Sequence, residues 1–437
     1  MSSQMRLIST GKRTSIWEPD SMEIAIVSAG IGGLVTALAL HKAGYSPVLH
    51  ESVTKLRQLG VGINLLPHTV RVLADLGLQD RLLETGIATS ELLYFNKHGQ
   101  KIRREPRGLE AGYVWPQISI HRGRLHAILL EEVRDRLGAE AIQTGHHLQS
   151  LDPIGKRPRL EFISRESLEP VYSCNADLAI GADGIHSAVR ANFYPDEGAP
   201  LWNGAILWRG MCEFDCILSG RSMFMAGHAN QKFVCYSVSG EHFKDGRSLT
   251  NWVAELRFNP DGPFQREDWN RTADPSAFLP RFKSWAFDWL DVPALIQTTP
   301  EIWEYPMVDR EPVPQWSFGS VTLLGDAAHP MYPIGSNGAS QAILDAEALA
   351  RSLESNGSIE DALRAYETER LEPTAAIVRA NRGQGPEQVM QMVEDRAPNG
   401  FDDLDEIISN DELEEIALRY KRLAGFDRDS LNRRANP

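Results

Sequence analysis

The sequence lacks any uninterrupted apolar run that approaches the roughly 18 residues needed to cross a bilayer, so we predict no membrane span. Apolar residues make up 42% of the chain and charged residues 24%, a composition typical of soluble globular proteins. At 437 residues the chain is too long for one ordinary core. This length predicts two domains, or one large α/β enzyme with a subdomain.

Positive charge is also scarce. The chain has 45 Lys and Arg against 59 Asp and Glu, which gives a formal net charge of -14. A nucleic-acid surface needs clustered Lys and Arg to neutralise phosphates. The charge balance therefore argues against a nucleic-acid partner.

Cysteines are few, and the usual targeting signals are missing. The four cysteines form no CxxC pair, and a disulfide framework would be unusual with so few in so long a chain; they are Cys174, Cys212, Cys216 and Cys235. We expect reduced thiols and a cytoplasmic location. Residues 1–21 contain no apolar core of signal-peptide length, and Glu18 and Asp20 argue against a transit peptide. Two interpretations of this segment stay open: a disordered leader, or an upstream start codon with Met22 as the natural first residue.

One stretch does carry a clear pattern: IAIVSAGIGGLVTALALHKAGYSPVLHE, residues 24–51. It predicts a buried strand, a glycine turn, a helix and a second strand that ends on Glu51. A glycine turn before a helix lets backbone N–H groups approach a pyrophosphate, and an acid after the next strand accepts hydrogen bonds from a ribose. Gly30 and Gly33 fit this motif, whereas Ser28 stands where its first glycine belongs. An acid rather than a base at position 51 points to FAD or NAD; a plain helix-packing turn is the alternative.

Two later segments repeat the form of a strand followed by a turn and a helix. In CNADLAIGADGIHSAVR the strand leads to Asp183 and Gly184, and in SVTLLGDAAHPMYPIGSNGASQAILDA it leads to Gly325 and Asp326. Ligands of parallel sheets collect at the carboxyl ends of the strands. Three such ends predict a crevice for a long cofactor, although either Asp alone could be a helix N-cap.

These motifs, in this order and spacing, resemble the FAD-dependent aromatic hydroxylases of the 4-hydroxybenzoate and salicylate hydroxylase type, from Met22 to about Arg382. EPRGLEAG, LWRG and YPMVDREPVPQW further resemble the phenazine-carboxylate monooxygenases of pyocyanin biosynthesis. The resemblance implies that NADH or NADPH reduces FAD, and that O2 then gives a flavin hydroperoxide. That species hydroxylates an aromatic or N-heteroaromatic substrate resembling a phenazine carboxylate, a salicylate or a quinolone.

The resemblance also implies roles for single residues. Gly30 and Gly33 match the pyrophosphate glycines, Ser28 departs from the first of them, and Glu51 matches the ribose acid. The other implied FAD residues are Arg122 along the cofactor, Asp183 in a motif shared with the nicotinamide cofactor, Asp326 at the ribityl chain, and Gly338 and Ala339 facing the isoalloxazine. We assign no catalytic base and no metal, and we expect a structural role for His329.

Substrate-binding residues are predicted from side-chain type. Trp208, Arg209, Tyr236 and Tyr305 would give aromatic walls and a cation for a substrate carboxylate, although core packing is the alternative for each. Partners are the small aromatic substrate and O2, and the protein would be a monomer or a homodimer. Two other functions stay open: an FAD-binding protein with impaired turnover, and an oxygen-independent flavin reductase.

The predicted fold is α/β, with a Rossmann-like FAD-binding domain on a parallel sheet, an inserted and mostly antiparallel substrate-binding sheet domain, and C-terminal helices. The predicted boundaries are a leader at 1–21, an FAD-binding domain at 22–95, 120–200 and 305–380, a substrate-binding domain at 96–119 and 201–304, and an acidic helical region at 381–437. The apolar spacing after residue 400 predicts a solvated amphipathic helix, with a partner surface as the alternative.

Overall fold

The computed structural model describes residues 22–58, 60–155, 157–239, 246–259, 271–383 and 385–435. The predicted leader at 1–21 lies outside the described residues. Within the described ranges, no helix is long and apolar enough to cross a membrane. The fold is mixed α/β with helices at the carboxyl end, as the sequence predicts.

A mainly parallel sheet carries the glycine turn. Its strands, in spatial order, are Ser317–Phe318 (β20), Val321–Leu323 (β21), Leu178–Gly181 (β12), Ile24–Val27 (β1), Val48–Glu51 (β2) and Ile142–Thr144 (β8). Each pair is parallel except the β20–β21 edge. The carboxyl ends of β1, β12 and β21 are therefore adjacent, which places the three predicted turns side by side.

The largest sheet has seven strands and is mostly antiparallel. In spatial order they are Ile302–Asp309 (β19), Leu201–Asp215 (β13), Arg247–Arg257 (β16), Gln231–Ser237 (β15), Ser222–His228 (β14), Glu91–Phe95 (β5) and Lys101–Pro106 (β6). β14 and β5 form its one parallel pair, within the described residues. One face buries an aromatic cluster that includes Trp252 and Phe278, and the other face packs on the C-terminal helices.

Three smaller sheets complete the strands. They are Gly62–Leu65 (β3), Gln117–His121 (β7) and Ile87–Thr89 (β4); Pro170–Asn175 (β11), Arg159–Ile163 (β10) and His147–Asp152 (β9); and Ala286–Phe287 (β17) with Leu290–Asp291 (β18).

Eleven α-helices lie in the described ranges. They are Ile31–Lys42 (α1), Pro67–Asp75 (α2), Gln79–Thr85 (α3), Arg122–Leu137 (α4), Ala188–Phe193 (α5), Val292–Thr298 (α6), Gly338–Ser355 (α7), Ile359–Arg382 (α8), Gln388–Arg396 (α9), Asn410–Leu423 (α10) and Arg428–Arg433 (α11). α1 is buried along nearly its whole length because it packs between α4 and α7. This position explains its Ala- and Leu-rich sequence, which lacks a polar face.

Two predicted domain boundaries meet strands of the seven-stranded sheet, one at the end of β5 and one inside β19. β5 belongs to this sheet although residues up to 95 were assigned to the FAD-binding domain, and β19 crosses the predicted boundary at 304/305. Hydrogen bonding to β14 and β13 places β5 and β19 in this sheet. The division into domains stays a prediction. The amphipathic helix after residue 400 is α10, and it buries Leu413, Ile416 and Tyr420 against the rest of the chain.

Candidate functional site: a crevice at three strand ends

A cavity of about 460 Å³ opens at the carboxyl ends of β1, β12 and β21, within the range of small-molecule sites. The seven-stranded sheet closes its other side. Ten of the predicted site residues line it: Ser28, Gly30, Arg122, Asp183, Arg209, Tyr236, Tyr305, Asp326, Gly338 and Ala339. Residues of all three motifs thus line one continuous surface.

Ser28 occupies a backbone conformation that favours glycine. Its φ is +92°, and its hydroxyl accepts a hydrogen bond from the Gly30 N–H at 3.2 Å and donates to Glu51 Oε2 at 3.3 Å. A side chain in this region costs on the order of 1–3 kcal/mol. The hydroxyl therefore ties the turn together and offsets part of the strain that a glycine would avoid.

Glu51 and Gly33 lie behind the turn. Glu51 is buried, and its Oε2 accepts the Ala29 N–H at 2.8 Å while Oε1 accepts the Val53 N–H at 3.0 Å. A Cβ on Gly33 would lie 2.2 Å from the Ser28 carbonyl oxygen, so only glycine allows α1 to approach the turn this closely. Both residues shape the turn, and their contacts with ribose and pyrophosphate stay predictions.

Asp183 acts as a helix cap at the second turn. Its Oδ1 accepts from the Ser187 hydroxyl at 2.5 Å, and its Oδ2 accepts from the Ala188 N–H at 2.7 Å at the start of α5. Burial raises the pKa of this carboxyl above its usual range. The contacts of Asp183 are therefore those of a helix cap. Asp183 also lies in the cavity wall, and its role at the cofactor stays a prediction.

Arg122 and Asp326 are the two charged groups that the cavity leaves available. Neither side chain makes a hydrogen bond or ion pair with any residue in the described part of the chain. Burial lowers the pKa of the Arg122 guanidinium, and Asp326 opposes that shift; burial likewise raises the pKa of Asp326, and His329 and Arg122 oppose it. A cation and a carboxylate in one crevice, each without a hydrogen-bond partner among the described residues, fit a ligand with complementary polar groups.

His329 contacts the acid that supports the third turn. Its Nε2 lies 2.6 Å from Asp345 Oδ2, which also accepts the Gly325 N–H at 3.0 Å. Arg370 Nε donates to the other oxygen at 2.7 Å. Although burial acts in the opposite direction, His329 and Arg370 hold the pKa of Asp345 at about 2. The charged network fixes the backbone that presents Asp326.

Arg209 lines the cavity from β13, in contact with Tyr236. Its Nη2 donates to the Gly62 carbonyl at 3.1 Å, and its buried Nε has no hydrogen-bond partner among the described residues. The Tyr236 hydroxyl contacts the guanidinium, and burial raises the pKa of Tyr236 to about 12. Tyr305 lines the cavity from β19.

Trp208 is the predicted substrate residue that the structure does not bring to the cavity. It precedes Arg209 on β13, and successive side chains of a strand point to opposite faces. Its indole stacks on Phe278 in the aromatic core and donates to Glu304 Oε2 at 2.9 Å. The core alternative is therefore correct for Trp208.

Comparison with known proteins agrees with this geometry. The model of the FAD binding domain family matches residues 21–196 and 297–381. The chain is 45% identical over 362 residues to phenazine 1,6-dicarboxylic acid hydroxylase PhzS of Lysobacter antibioticus, across 82% of this chain and 89% of that protein. It is 29% identical over 374 residues to 6-hydroxynicotinate 3-monooxygenase of Bordetella bronchiseptica, across 82% and 90%.

The chain belongs to the FAD binding domain family. It is an FAD-dependent aromatic monooxygenase, with NADH or NADPH as co-substrate, which confirms the predicted cofactor and enzyme class. The crystal structure of Klebsiella pneumoniae HpxO with FAD and uric acid has the same fold, with a TM-score of 0.70 at 21% identity over 94% of this chain and 97% of that one.

The residues of the crevice fit FAD. Gly338 lies next to Asp326 in the crevice wall, since a Cβ on Gly338 would be 3.9 Å from Asp326 Oδ1. Arg122 and Asp326 offer a donor and an acceptor that nothing in the described chain occupies. Small residues also let the turns converge, since a Cβ on Gly325 would lie 2.9 Å from the Ala342 Cβ. An elongated crevice that crosses three strand ends matches the shape of a dinucleotide.

Sequence reasoning missed two groups that shape the site of this FAD-dependent enzyme. Asn251 is fully buried, accepts the Gly62 N–H at 2.7 Å through Oδ1, and leaves Nδ2 without a partner among the described residues. Asn337 donates to the Tyr420 hydroxyl of α10 at 2.8 Å. Both contacts join residues far apart in the chain, and no local sequence pattern predicts them.

Replacing Ser28 by glycine should stabilise the glycine turn. We expect the free energy of unfolding to rise by about 1 kcal/mol, and FAD affinity to stay unchanged or to rise by up to roughly tenfold, since the φ of +92° then carries no strain. Denaturant unfolding and flavin-fluorescence titration measure the two effects. Ser28→Ala is the control, because it removes the hydroxyl and keeps the strain. A large loss of FAD affinity in Ser28→Gly would instead identify the hydroxyl as a phosphate ligand.

Proposed function

We propose that the enzyme is a single-component monooxygenase that hydroxylates a planar N-heteroaromatic carboxylic acid of the phenazine type. The observation that carries the proposal is Arg209, whose cationic side chain lines the crevice together with Tyr236 and Tyr305. A guanidinium binds a carboxylate through paired hydrogen bonds. The relative from Lysobacter, at 45% identity, is named for a phenazine dicarboxylic acid.

The walls beside Arg209 suit a flat ring system. Tyr236 and Tyr305 line the cavity from strands β15 and β19, together with Leu207 and Met307. Aromatic and thioether groups pack well against the face of an aromatic ligand. The ring would lie between the large sheet and the start of α7, with its acid group at Arg209.

FAD, when it is bound and reduced by NADH or NADPH, supplies the electrons and the activated oxygen for hydroxylation, with water as the second product. We assign Arg122 and Asp326 to its polar chain, Gly30 to its pyrophosphate, and Glu51 and Asp183 to supporting contacts. The first N–H groups of α7, at Gly338 and Ala339, stabilise negative charge beside them because they lie at the positive end of an 18-residue helix.

The protein's part in the chemistry is to hold the ring and to exclude bulk water. Asn337 does not cap α7 with its side chain, which turns away to Gly335 and Tyr420. The helix start therefore stays available to the crevice. Apolar walls on the other side limit entry of water, which favours oxygen transfer over loss as hydrogen peroxide.

The two other functions lack support. The two relatives named above are a hydroxylase and a monooxygenase, and neither is named as a binding protein or a reductase. The energetic cost of the backbone strain at Ser28 is small compared with the binding free energy of a nanomolar cofactor complex, which is roughly 12 kcal/mol. We further infer a cytoplasmic enzyme, on the basis of free cysteines at all four positions, and a monomer or homodimer that light scattering would distinguish.

The proposal is tested by steady-state oxidation of NADH and NADPH with FAD-loaded protein. Phenazine-1-carboxylic acid, 6-hydroxynicotinate and salicylate are added separately, and peroxide is quantified together with product. We expect the phenazine acid to accelerate oxidation at least tenfold, with more hydroxylated product than peroxide. Equal acceleration by all three acids, or peroxide as the main product with each, would overturn the proposed substrate class.

A further inference from the structure

The loop that leads into α7 is contacted by α10, a helix outside the residues that match the family model. Those matched residues end at 381, whereas α10 spans Asn410–Leu423. Tyr420 of α10 is buried, and a Cβ on Gly335 of the loop would lie 2.3 Å from its hydroxyl. The same loop lines the crevice through Ser336 and Asn337. A residue of the C-terminal region thus packs directly against one wall of the cofactor crevice.

Three buried polar side chains form a series of hydrogen bonds across this loop. Asn337 Nδ2 donates to the Tyr420 hydroxyl at 2.8 Å, and that hydroxyl donates to Asn381 Oδ1 at 2.8 Å. Asn381 Nδ2 in turn donates to the loop carbonyls of Tyr332 and Ile334, at 3.2 Å and 3.3 Å. Burial raises the pKa of the Tyr420 phenol, so the hydroxyl stays protonated and keeps its donor. The Tyr420 hydroxyl therefore links α10 to the loop and to α8.

These hydrogen bonds hold the loop in a strained conformation. Gly335 has a φ of +66° and Ser336 a φ of +59°, a region that non-glycine residues rarely adopt. Such a conformation persists only where the surroundings enforce it. Here Tyr420 and Asn381 supply that constraint, because both contact the loop from buried positions. A loop that loses these contacts can relax to an ordinary backbone conformation.

Asn337 stands immediately before α7, at the position where asparagine usually caps a helix. A capping asparagine has an extended backbone, and its side-chain oxygen accepts an N–H of the first turn. Asn337 instead has a φ of −93° and a ψ of −28°, and it makes no capping hydrogen bond. Its oxygen accepts from Gln341 Nε2 at 3.2 Å, while its amide donates to Tyr420. The side chain of Asn337 thus leaves uncapped the first N–H groups of α7, at Gly338 and Ala339 in the crevice wall.

We propose that Tyr420 is a positioning residue, which keeps the start of α7 open to the flavin by holding the side chain of Asn337 away from it. This rests on the assignment of Gly338 and Ala339 to FAD in the proposed function. Without the Tyr420 hydroxyl the loop relaxes, Asn337 caps α7, and a protein oxygen occupies the positive end of the helix. Negative charge on reduced flavin is then less stabilised than in the wild type.

The test is the two-electron reduction potential of bound FAD, measured without substrate by reductive titration against a redox dye. We expect Tyr420→Phe to bind reduced flavin about tenfold less tightly relative to oxidised flavin, a shift of about 30 mV to more negative potential. Tyr113→Phe is the matched control, because Tyr113 is buried in the same apolar cluster and its hydroxyl donates to the Phe426 carbonyl at 2.7 Å. It should leave the potential unchanged.

A second substitution separates this positioning role from a general loosening of the site. Alanine at position 337 has no side-chain oxygen and cannot cap α7. Tyr420→Phe combined with Asn337→Ala should therefore restore the wild-type ratio of the two flavin affinities to within about twofold. A wild-type potential in Tyr420→Phe, or a double variant as negative as the single one, would overturn the role of Tyr420.

If Tyr420→Phe does not fold, Asn381→Leu takes its place, because it removes the acceptor of the Tyr420 hydroxyl and the donor to the loop carbonyls. It should shift the potential in the same direction, and an unchanged potential would overturn the inference. Failure of the proposed function is a separate result, since it would appear as wild type that does not hydroxylate phenazine-1-carboxylic acid. The potential is measured without substrate and still decides the role of Tyr420 in that case.

Discussion

Replacing Asp326 by alanine should weaken FAD binding by about 100-fold. The carboxylate lines the crevice next to Gly338 and has no partner in the described chain, so its acceptor oxygens are available to the cofactor. Hydrogen bonds to a charged group contribute about 1.5–3 kcal/mol each, and the loss of one or two of them gives this factor. The measurement is FAD content after purification, followed by fluorescence titration of the apoprotein.

The control for this variant is Asp288→Ala, in the exposed hairpin between β17 and β18. It removes the same charge far from the crevice and should retain FAD fully. Asp326→Asn keeps one acceptor oxygen and should fall between the two. An Asp326→Ala protein that is isolated fully yellow, with unchanged FAD affinity, would remove Asp326 from the cofactor site.

Replacing Arg209 by methionine should lower kcat/KM for an aromatic acid by about 100- to 1,000-fold. Removing one partner of a buried charge pair costs roughly 2–5 kcal/mol, and Arg209 presents the guanidinium that we assign to the carboxylate. Most of the change should appear as a higher KM, because the contact between Arg209 and the carboxylate is made equally in the ground state and in the transition state. Unsubstituted phenazine lacks a carboxylate, so its weak turnover should not change.

Arg209→Lys is the informative companion variant. Lysine keeps the charge and loses the paired geometry, so we expect an intermediate loss. A loss of the same size with unsubstituted phenazine would point to collapse of the Gly62 and Tyr236 contacts instead. Circular dichroism and FAD content separate that collapse from a specific loss of carboxylate binding.

The sequence predicted those parts of the fold that depend on local pattern. The buried runs at residues 24–27 and 178–180 become strands β1 and β12, and the glycine turn leads into α1 as expected. In these segments strand, turn and helix signals lie within a few residues of one another. Asp183 and Asp326 follow their strands directly, so the order of strands in the sheet was enough to bring them to one crevice.

The sequence could not show which face of a strand meets the cofactor. Successive side chains of a strand point to opposite faces, which predicts opposite directions for Trp208 and Arg209. Only the packing of the folded chain shows that Trp208 is the one in the aromatic core. The ion pair between Lys421 and Glu105 is a stronger case, because it joins α10 to β6 and no local sequence pattern predicts it.

Ser28 is a single residue whose backbone conformation the sequence could not predict. The sequence marks a departure from glycine, and the structure shows that the backbone keeps the glycine-like φ of +92°. The serine hydroxyl closes the turn onto Gly30 and Glu51. We conclude that the substitution modifies the turn locally and leaves the crevice formed.

The most direct test of the account is hydroxylation of a phenazine carboxylic acid under ¹⁸O2 by FAD-loaded protein with NADH or NADPH, read by mass spectrometry of the product. The account predicts a hydroxylated product that carries one oxygen atom from O2 and none from water. A product whose new oxygen comes from water, or NAD(P)H oxidation that yields only peroxide with every phenazine acid tried, would contradict it.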